Sequence, residues 1–444
     1  MPGHPREGYS RRQFLQRAGL TALAVPSMAA ILAACTKPGT TSTPSGASNP
    51  YGTGGLPGGP YPIARQDTPV TWNTFDDNPT IASNLPPEKN ATLQIYNWDQ
   101  YIWEPVVQEF CEANNCKYKI TTFDTMEDAF NKMTSGQLDF DVFFPTIDYV
   151  GKLVSKKLIM PLNHDYLPNL QSDVWPVYSN PYYDQGAVYT LPYTVYVTGV
   201  SYRRDVISDD EFRAIPNPYD ALWDPRFKGK VGVYNSYRDV MCMTMIRRGL
   251  TDINTTDANL ITQAGNDLVD MTAAVSPVSK TNTAYIGIPN DQVYVSQAWS
   301  GDTVAAWGYG PALNQTNYEH IGYWYPTDRI GSVDNDLIAV PSGAKNPVLG
   351  HMFLNFLSEY QNAMDNFSFV GYQPPQIKAD PDTLTTTIGK YGKPYDVPYV
   401  LPWLTDAVVR EEDFQKGLRI GELTPDVDDL WQHQWDRFKS GASS

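Results

Sequence analysis

From residue 92 to residue 360 short apolar runs alternate with helix-like stretches, and this alternation restricts the fold more than any other feature of the chain. TLQIY at 92–96 reads as a strand and leads to a helix near 104–113. A strand near 118–122 precedes a helix at 126–134, and DVFF at 141–144 feeds a helix around 148–157. VGVY at 231–234 feeds a helix at 238–248, which follows Ser236 and stops at Gly249, a matched pair of caps. QVYVSQAW at 292–299 precedes a helical segment around Asp302, and DLIAVP at 336–341 precedes a helix at 346–360. Strands alternating with helices over this length predict α/β layers with mostly parallel sheets. The length of 444 residues predicts two or three domains.

In open α/β sheets ligands bind just beyond the carboxyl ends of the strands. Those ends carry an unusual set of side chains here: Trp98 and Asp99, Thr146 and Asp148, Ser236 and Asp239, Trp299 and Asp302, and the run Asp334-Asn335-Asp336. Aspartate at a helix N-terminus is often only a cap. That reading accounts for Asp148, Asp239 and Asp302 singly, but not for tryptophan at the same ends. The aromatic cluster Tyr96, Trp98, Tyr101 and Trp103 is divided by its strand end. Tyr96 lies inside the strand and reads as core, whereas Trp98 and Tyr101 follow it and read as cleft walls. Arg238 reads as the partner of a neighbouring acid. Met241, Met243 and Met245 fall on a helix and read as core.

The net charge of −16 disfavours nucleic acid and anionic lipid as partners and favours cations. Twenty-nine tyrosines and eleven tryptophans supply many rings with a polar tip. The five histidines, at 4, 164, 320, 351 and 433, form no HExxH pattern, and no GxSxG, Walker A or GxGxxG motif is present. The spacing of the cysteines suits no zinc site. These patterns predict a binding protein without cofactor or metal. A carboxylate pair with glycosidase activity, and a binding protein for a sugar or another organic cation, are the alternatives.

The N-terminus predicts export. Ser10-Arg11-Arg12-Gln13-Phe14-Leu15 is a twin-arginine pattern; an uncharged stretch from Ala18 to Ala34 follows, ending in Leu32-Ala33-Ala34-Cys35. With Gly19, Pro26 and Ser27 inside it, this stretch is short and weakly apolar for a membrane span. Residues 1–34 therefore read as a signal peptide and Cys35 as a lipidated first residue of the mature chain, anchored to the outer face of the cytoplasmic membrane. Residues 37–60 hold twelve Gly or Pro and seven Ser or Thr, so 35–60 reads as a flexible tether. Residues 61–90 read as an irregular strap. Cys111 and Cys116 fit either a disulfide, as exported proteins allow, or two buried thiols.

From about Leu93 onward the chain resembles the bacterial spermidine/putrescine-binding proteins of polyamine importers. The segments that carry the likeness are YNWDQYI (96–102), DFDVFFPTIDYV (139–150), DALWDPRFKGKVGV (220–233), NTTD (254–257), WSGD (299–302), DNDLIAVPSGAKN (334–346), FLNFLSE (353–359) and VGYQPPQ (370–376). The resemblance implies a two-lobed clamshell, with lobe 1 at 91–195 and 333–378 and lobe 2 at 196–332 and 379–444. It implies a monomer that closes on a small polycation and passes it to the membrane permease of an ABC transporter. It also implies ligand-contacting roles for Trp98, Tyr101, Thr146, Asp239, Trp299, Asp302, Asp336 and Tyr372. Asp148, Ser236 and Asp334 stand at site positions where members of the family carry other residues; at 334 the family often has tryptophan. The carboxylates are redistributed, which leaves the length of the ligand open.

Overall fold

A computed structural model describes residues 61–442 apart from 137–138, 171–172, 307, 309–317 and 389–397. The signal sequence, Cys35 and the tether lie outside the described residues. Among those described, no helix is long and apolar enough to cross a membrane.

Strands β1 (Thr92–Trp98), β2 (Lys117–Phe123) and β3 (Val142–Phe143) form one parallel group in the order β2-β1-β3, with α1 (Glu104–Asn114) and α2 (Met126–Thr134) in the connections. Val150–Ser155 (α3) follows β3 after a 3-10 turn at Ile147–Tyr149. A second parallel group comprises β5 (Val231–Val233), β6 (Val278–Ser279) and β7 (Val295–Trp299), with α4 (Tyr237–Arg247) and α5 (Ala258–Val275) between them and α6 (Ser300–Ala306) after β7. Two long strands join the groups: β4 (Thr190–Arg203) and β9 (Ser332–Ala339). They pair antiparallel with each other; β9 pairs antiparallel with β3, and β4 with β7 and with β8 (Ile321–Trp324).

The sheet is therefore mixed, and the expectation of mostly parallel strands holds only within each group. The physical reason is topological: a parallel neighbour requires a crossover, usually through a helix, and β4 and β9 carry the chain between the groups without one. Neither β4 nor β8 belongs to the alternating pattern of the sequence. Pro192 sits beside an irregularity in the β4–β9 register, where a missing N–H does least harm. Among the other helices of the frame are α7 (Pro347–Leu357), α8 (Tyr360–Val370), the short α9 (Pro381–Thr386) and α10 (Pro425–Ala442). The stretch expected as one helix at 346–360 ends at Leu357, because the Glu359 side chain accepts the Asn362 N–H and starts α8.

Each group has its own core. Leu93, Ile95, Val107, Phe110 and Phe353 pack together in the first; Val231, Met241, Leu268, Trp431 and Phe438 pack together in the second. A further cluster lies where the joining strands run, around Val197, Tyr323, Val333 and Phe367. Met241, Met243 and Met245 are all buried, since both faces of α4 are covered. The strap at 61–90 is bonded to the body: the Trp72 indole donates to the Tyr183 carbonyl at 2.7 Å, and the Glu88 carboxylate accepts the Val348 and Leu349 N–H groups, capping α7. Its first residues reach the second group, where Tyr61 bonds Glu422 and Arg65 Nη2 donates to the Glu422 carbonyl at 2.6 Å.

Cys111 and Cys116 face each other as thiols rather than as a disulfide, with Sγ atoms 2.7 Å apart. Burial raises both thiols above their ordinary range.

Candidate functional site

The turns that follow β1, β3, β5 and β7 converge on one cavity of about 680 Å³, and β4, β9 and α10 close its sides. All eleven residues expected from the sequence line it: Trp98, Tyr101, Thr146, Asp148, Ser236, Asp239, Trp299, Asp302, Asp334, Asp336 and Tyr372. Its wall holds nine acidic side chains against two basic ones, Arg238 and Lys280, so a cation is drawn in.

Asp302 stands in the first turn of α6, with both carboxylate oxygens occupied by phenols. Tyr234 donates to Oδ2 at 2.8 Å and Tyr372 to Oδ1 at 2.7 Å. Tyr234 in turn accepts the Trp299 N–H at 2.7 Å and stacks on the Trp299 indole, ring centres 3.8 Å apart. Tyr372 reaches Asp302 because two glycines allow it. A Cβ at Gly301 would meet the Tyr372 ring, and a Cβ at Gly371 would meet the Gly301 carbonyl. Gly371 also has φ +79°, the left-handed conformation that ends α8.

Asp336 lies on β9 and receives the Tyr101 hydroxyl at 2.6 Å, with the Tyr196 hydroxyl at 3.5 Å from its other oxygen. Tyr101 also bonds Thr194 at 2.6 Å, which fixes its ring edge-on to Tyr372. Asp239, at the start of α4, accepts the Ser236 hydroxyl at 2.5 Å and the Trp299 indole N–H at 2.9 Å. Asp148 accepts the Thr146 hydroxyl at 2.5 Å. Among the described residues every donor to these four side chains is neutral. Burial pushes Asp302 and Asp336 up to about 7, against the pull of their tyrosine bonds, and raises Asp239 in the same way.

Asp334 differs. It forms a buried ion pair with Arg419, Nε to Oδ1 3.3 Å, and accepts the Ile420 N–H at 3.4 Å. Burial raises this carboxyl and the guanidinium opposes the rise. Trp98 stands at the other side of the cavity, its indole N–H on the Phe144 carbonyl at 3.1 Å and its ring against Phe123. Tyr96 is wholly buried against Phe140, as its place inside β1 predicts.

One expectation is corrected. Arg238 pairs with no acid among the described residues. It donates to the Asn254 side chain at 2.6 Å and to the Gly421 carbonyl at 3.0 Å, and lies over Trp431. An arginine at the second position of a helix points back over its N-terminal turn, where those groups stand. The site also contains rings that the strand-exit argument missed. Tyr234 is the residue right after β5, so a reading extended by one position finds it. Tyr196 sits on β4, which carried no strand signal, and Trp435 comes from α10, a helix near the C-terminal end that follows no strand of the alternating pattern.

Comparison with known proteins places these features among relatives. The profile of the bacterial extracellular solute-binding protein family matches residues 106–388. The spermidine/putrescine-binding periplasmic protein 1 of Haemophilus influenzae is 26% identical over 293 residues, covering 65% of this chain and 77% of its own length. A putrescine/cadaverine-binding protein of Pseudomonas aeruginosa is 25% identical over 300 residues, covering 65% and 80%. Among solved structures, the spermidine/putrescine transporter substrate-binding protein PotD of Streptococcus pneumoniae superposes with a TM-score of 0.61 at 19% identity, over 79% of this chain and 99% of its own. The PotD lipoprotein of Treponema pallidum gives 0.61 at 19% identity, over 78% and 99%. These structures share the two-lobed fold.

Proposed function

Since the chain belongs to the bacterial extracellular solute-binding protein family, we propose that it captures a polyamine of the putrescine or spermidine class outside the cytoplasm and hands it to an ABC permease. The observation that carries this reading is the bonding of Asp239, Asp302 and Asp336. All three line one cavity, Asp302 and Asp336 buried and Asp239 half-buried, and among the described residues they are held only by hydroxyl and indole donors. Among the described residues no basic side chain forms an ion pair with these carboxylates within 4 Å, so the partner they are arranged for is a cation. An ammonium group bonds such a carboxylate by a charge-assisted hydrogen bond. The surrounding faces of Trp98, Trp299, Tyr101, Tyr196 and Tyr372 attract the same cation, by about 0.5–2 kcal/mol each. They also bury the methylene spacers, at about 0.8 kcal/mol per CH₂.

The relatives named above support the same ligand class. In this account lobe 1 comprises 91–195 and 333–378, lobe 2 comprises 196–332 and 379–444, and the joining strands β4 and β9 provide the hinge on which the lobes close. The body hangs from a lipid at Cys35 by the tether at 35–60 and acts as a monomer. It has no catalytic role. A thermal-shift series with putrescine, cadaverine and spermidine against a panel of sugars tests the reading. Amines are expected to raise the melting temperature, since at a hundred times Kd a ligand adds about 2.7 kcal/mol of stability. A rise with a sugar and none with any amine overturns it.

A further inference from the structure

We propose that Arg419 sets the number of ligand charges the cleft accepts, by pairing with Asp334 and so withdrawing that carboxylate from the ligand. The inference rests on the amine-binding reading above. Arg419 and Asp334 are 7% and 3% exposed, so water screens their attraction little. The guanidinium is fixed on several sides. Nε faces Asp334 at 3.3 Å, Nη2 donates to Asn335 Oδ1 at 2.5 Å, and the Phe414 and Tyr182 rings lie at 4.9 and 5.5 Å. Asn335 is held in turn by its bond to the Tyr183 hydroxyl at 2.9 Å. Among the described residues Asp334 is the one acid of the cleft wall with an ion pair within 4 Å.

The contrast with the neighbouring acids decides the roles. Asp239, Asp302 and Asp336 carry charge that neutral donors leave uncancelled, whereas the charge of Asp334 is already met. Arg419 Nη1 has no hydrogen-bond partner in the described structure, so the guanidinium keeps positive potential at that end of the cleft. A further ammonium brought toward Asp334 meets that repulsion. Arg419 is thus a specificity-determining residue that never touches the ligand. It disfavours amines of higher charge relative to a diamine.

Isothermal titration of wild type and Arg419→Met with putrescine and spermidine tests this. The ratio of the two Kd values is expected to move toward spermidine by about tenfold, the size of one exposed charge interaction in a partly desolvated site. The change is expected to grow as the pH rises from 8 toward 9, since burial holds Asp334 at about 8 even beside the guanidinium and loss of the guanidinium raises it further. A ratio equal to that of wild type overturns the inference. Should Arg419→Met not fold, the double variant Arg419→Met/Asp334→Asn carries the test, because both buried charges leave together. It is expected to bind both amines with the wild-type ratio, within about threefold of wild-type Kd. A loss of about thirtyfold or more for spermidine, as removal of a direct ammonium ligand gives, overturns the inference. Wild type that binds neither amine sinks the functional reading itself, and the inference with it.

Discussion

Asp302 and Asp336 give the cleft a pH dependence of predictable sign. Burial raises both to about 7 in the folded protein, while an aspartate in the unfolded chain ionises near pH 3.9. The folded state therefore binds more protons between those values. Their contribution to stability is complete below about pH 4 and is lost as the pH climbs through about 7. Thermal unfolding of the unliganded protein from pH 5 to pH 8 is expected to show this decline, and Asp302→Asn is expected to flatten it. Amine binding runs the other way. The amines stay protonated throughout that range, near pKa 10, and they need ionised carboxylates. Affinity for putrescine is expected to rise from pH 5.5 to pH 8, with proton release measurable by titration in buffers of different ionisation enthalpy. Affinity that falls with pH contradicts the assignment. Asp336→Asn leaves an ammonium partly unpaired and is expected to cost on the order of 2–5 kcal/mol of binding; an unchanged Kd removes Asp336 from the site. Much of this was legible because an acid or ring at a strand exit has one direction to face. Arg419 was not legible. It lies in a segment with no strand or helix pattern, and its partner Asp334 is 85 residues away in sequence.

At the scale of elements, the glycines of WSGD and VGYQ matter as much as the polar residues beside them. Gly301 and Gly371 let α6 and the end of α8 touch, and that contact places Tyr372 on Asp302. Gly301→Ala forces the ring away and is expected to weaken amine binding by about tenfold or more while far-ultraviolet circular dichroism stays unchanged. An affinity equal to wild type shows that Tyr372 need not bond Asp302. The strap at 61–90 was legible only as irregular, since its bonds run to distant segments. Trp72 is 3% exposed and packs in one cluster with Phe143 and Tyr189. Trp72→Ala is expected to cost about 3–5 kcal/mol of stability, read from denaturant unfolding. The alternating pattern found the parallel groups because each strand there is followed by a turn and a helix. It missed β4, where Pro192 and Gly199 interrupt the run and tertiary burial of nearly the whole strand decides its state.

For the whole molecule, two cores are joined by two antiparallel strands, β4 and β9, the pair proposed above as the hinge. Both strands contribute to the cleft, through Tyr196 and through Asp334 and Asp336. On the function proposed above, a ligand bonded to Asp336 on β9 and to Asp239 and Asp302 in the second group is met from the first group by Trp98 and Tyr101. The fold class could be read from the sequence because it follows from strand and helix order. The mixed sheet could not, because the pairing of β4 with β9 joins residues more than a hundred positions apart. The central claim is that a cleft of uncancelled carboxylates and ring faces selects a polyamine. Isothermal titration calorimetry of the mature protein at pH 7.5 with putrescine and with spermidine tests it most directly. The account predicts saturable one-site binding to at least one of them with Kd of about a micromolar or tighter, abolished or strongly weakened in Asp336→Asn. No binding heat with either amine at millimolar concentration, from protein that is folded by circular dichroism, contradicts it.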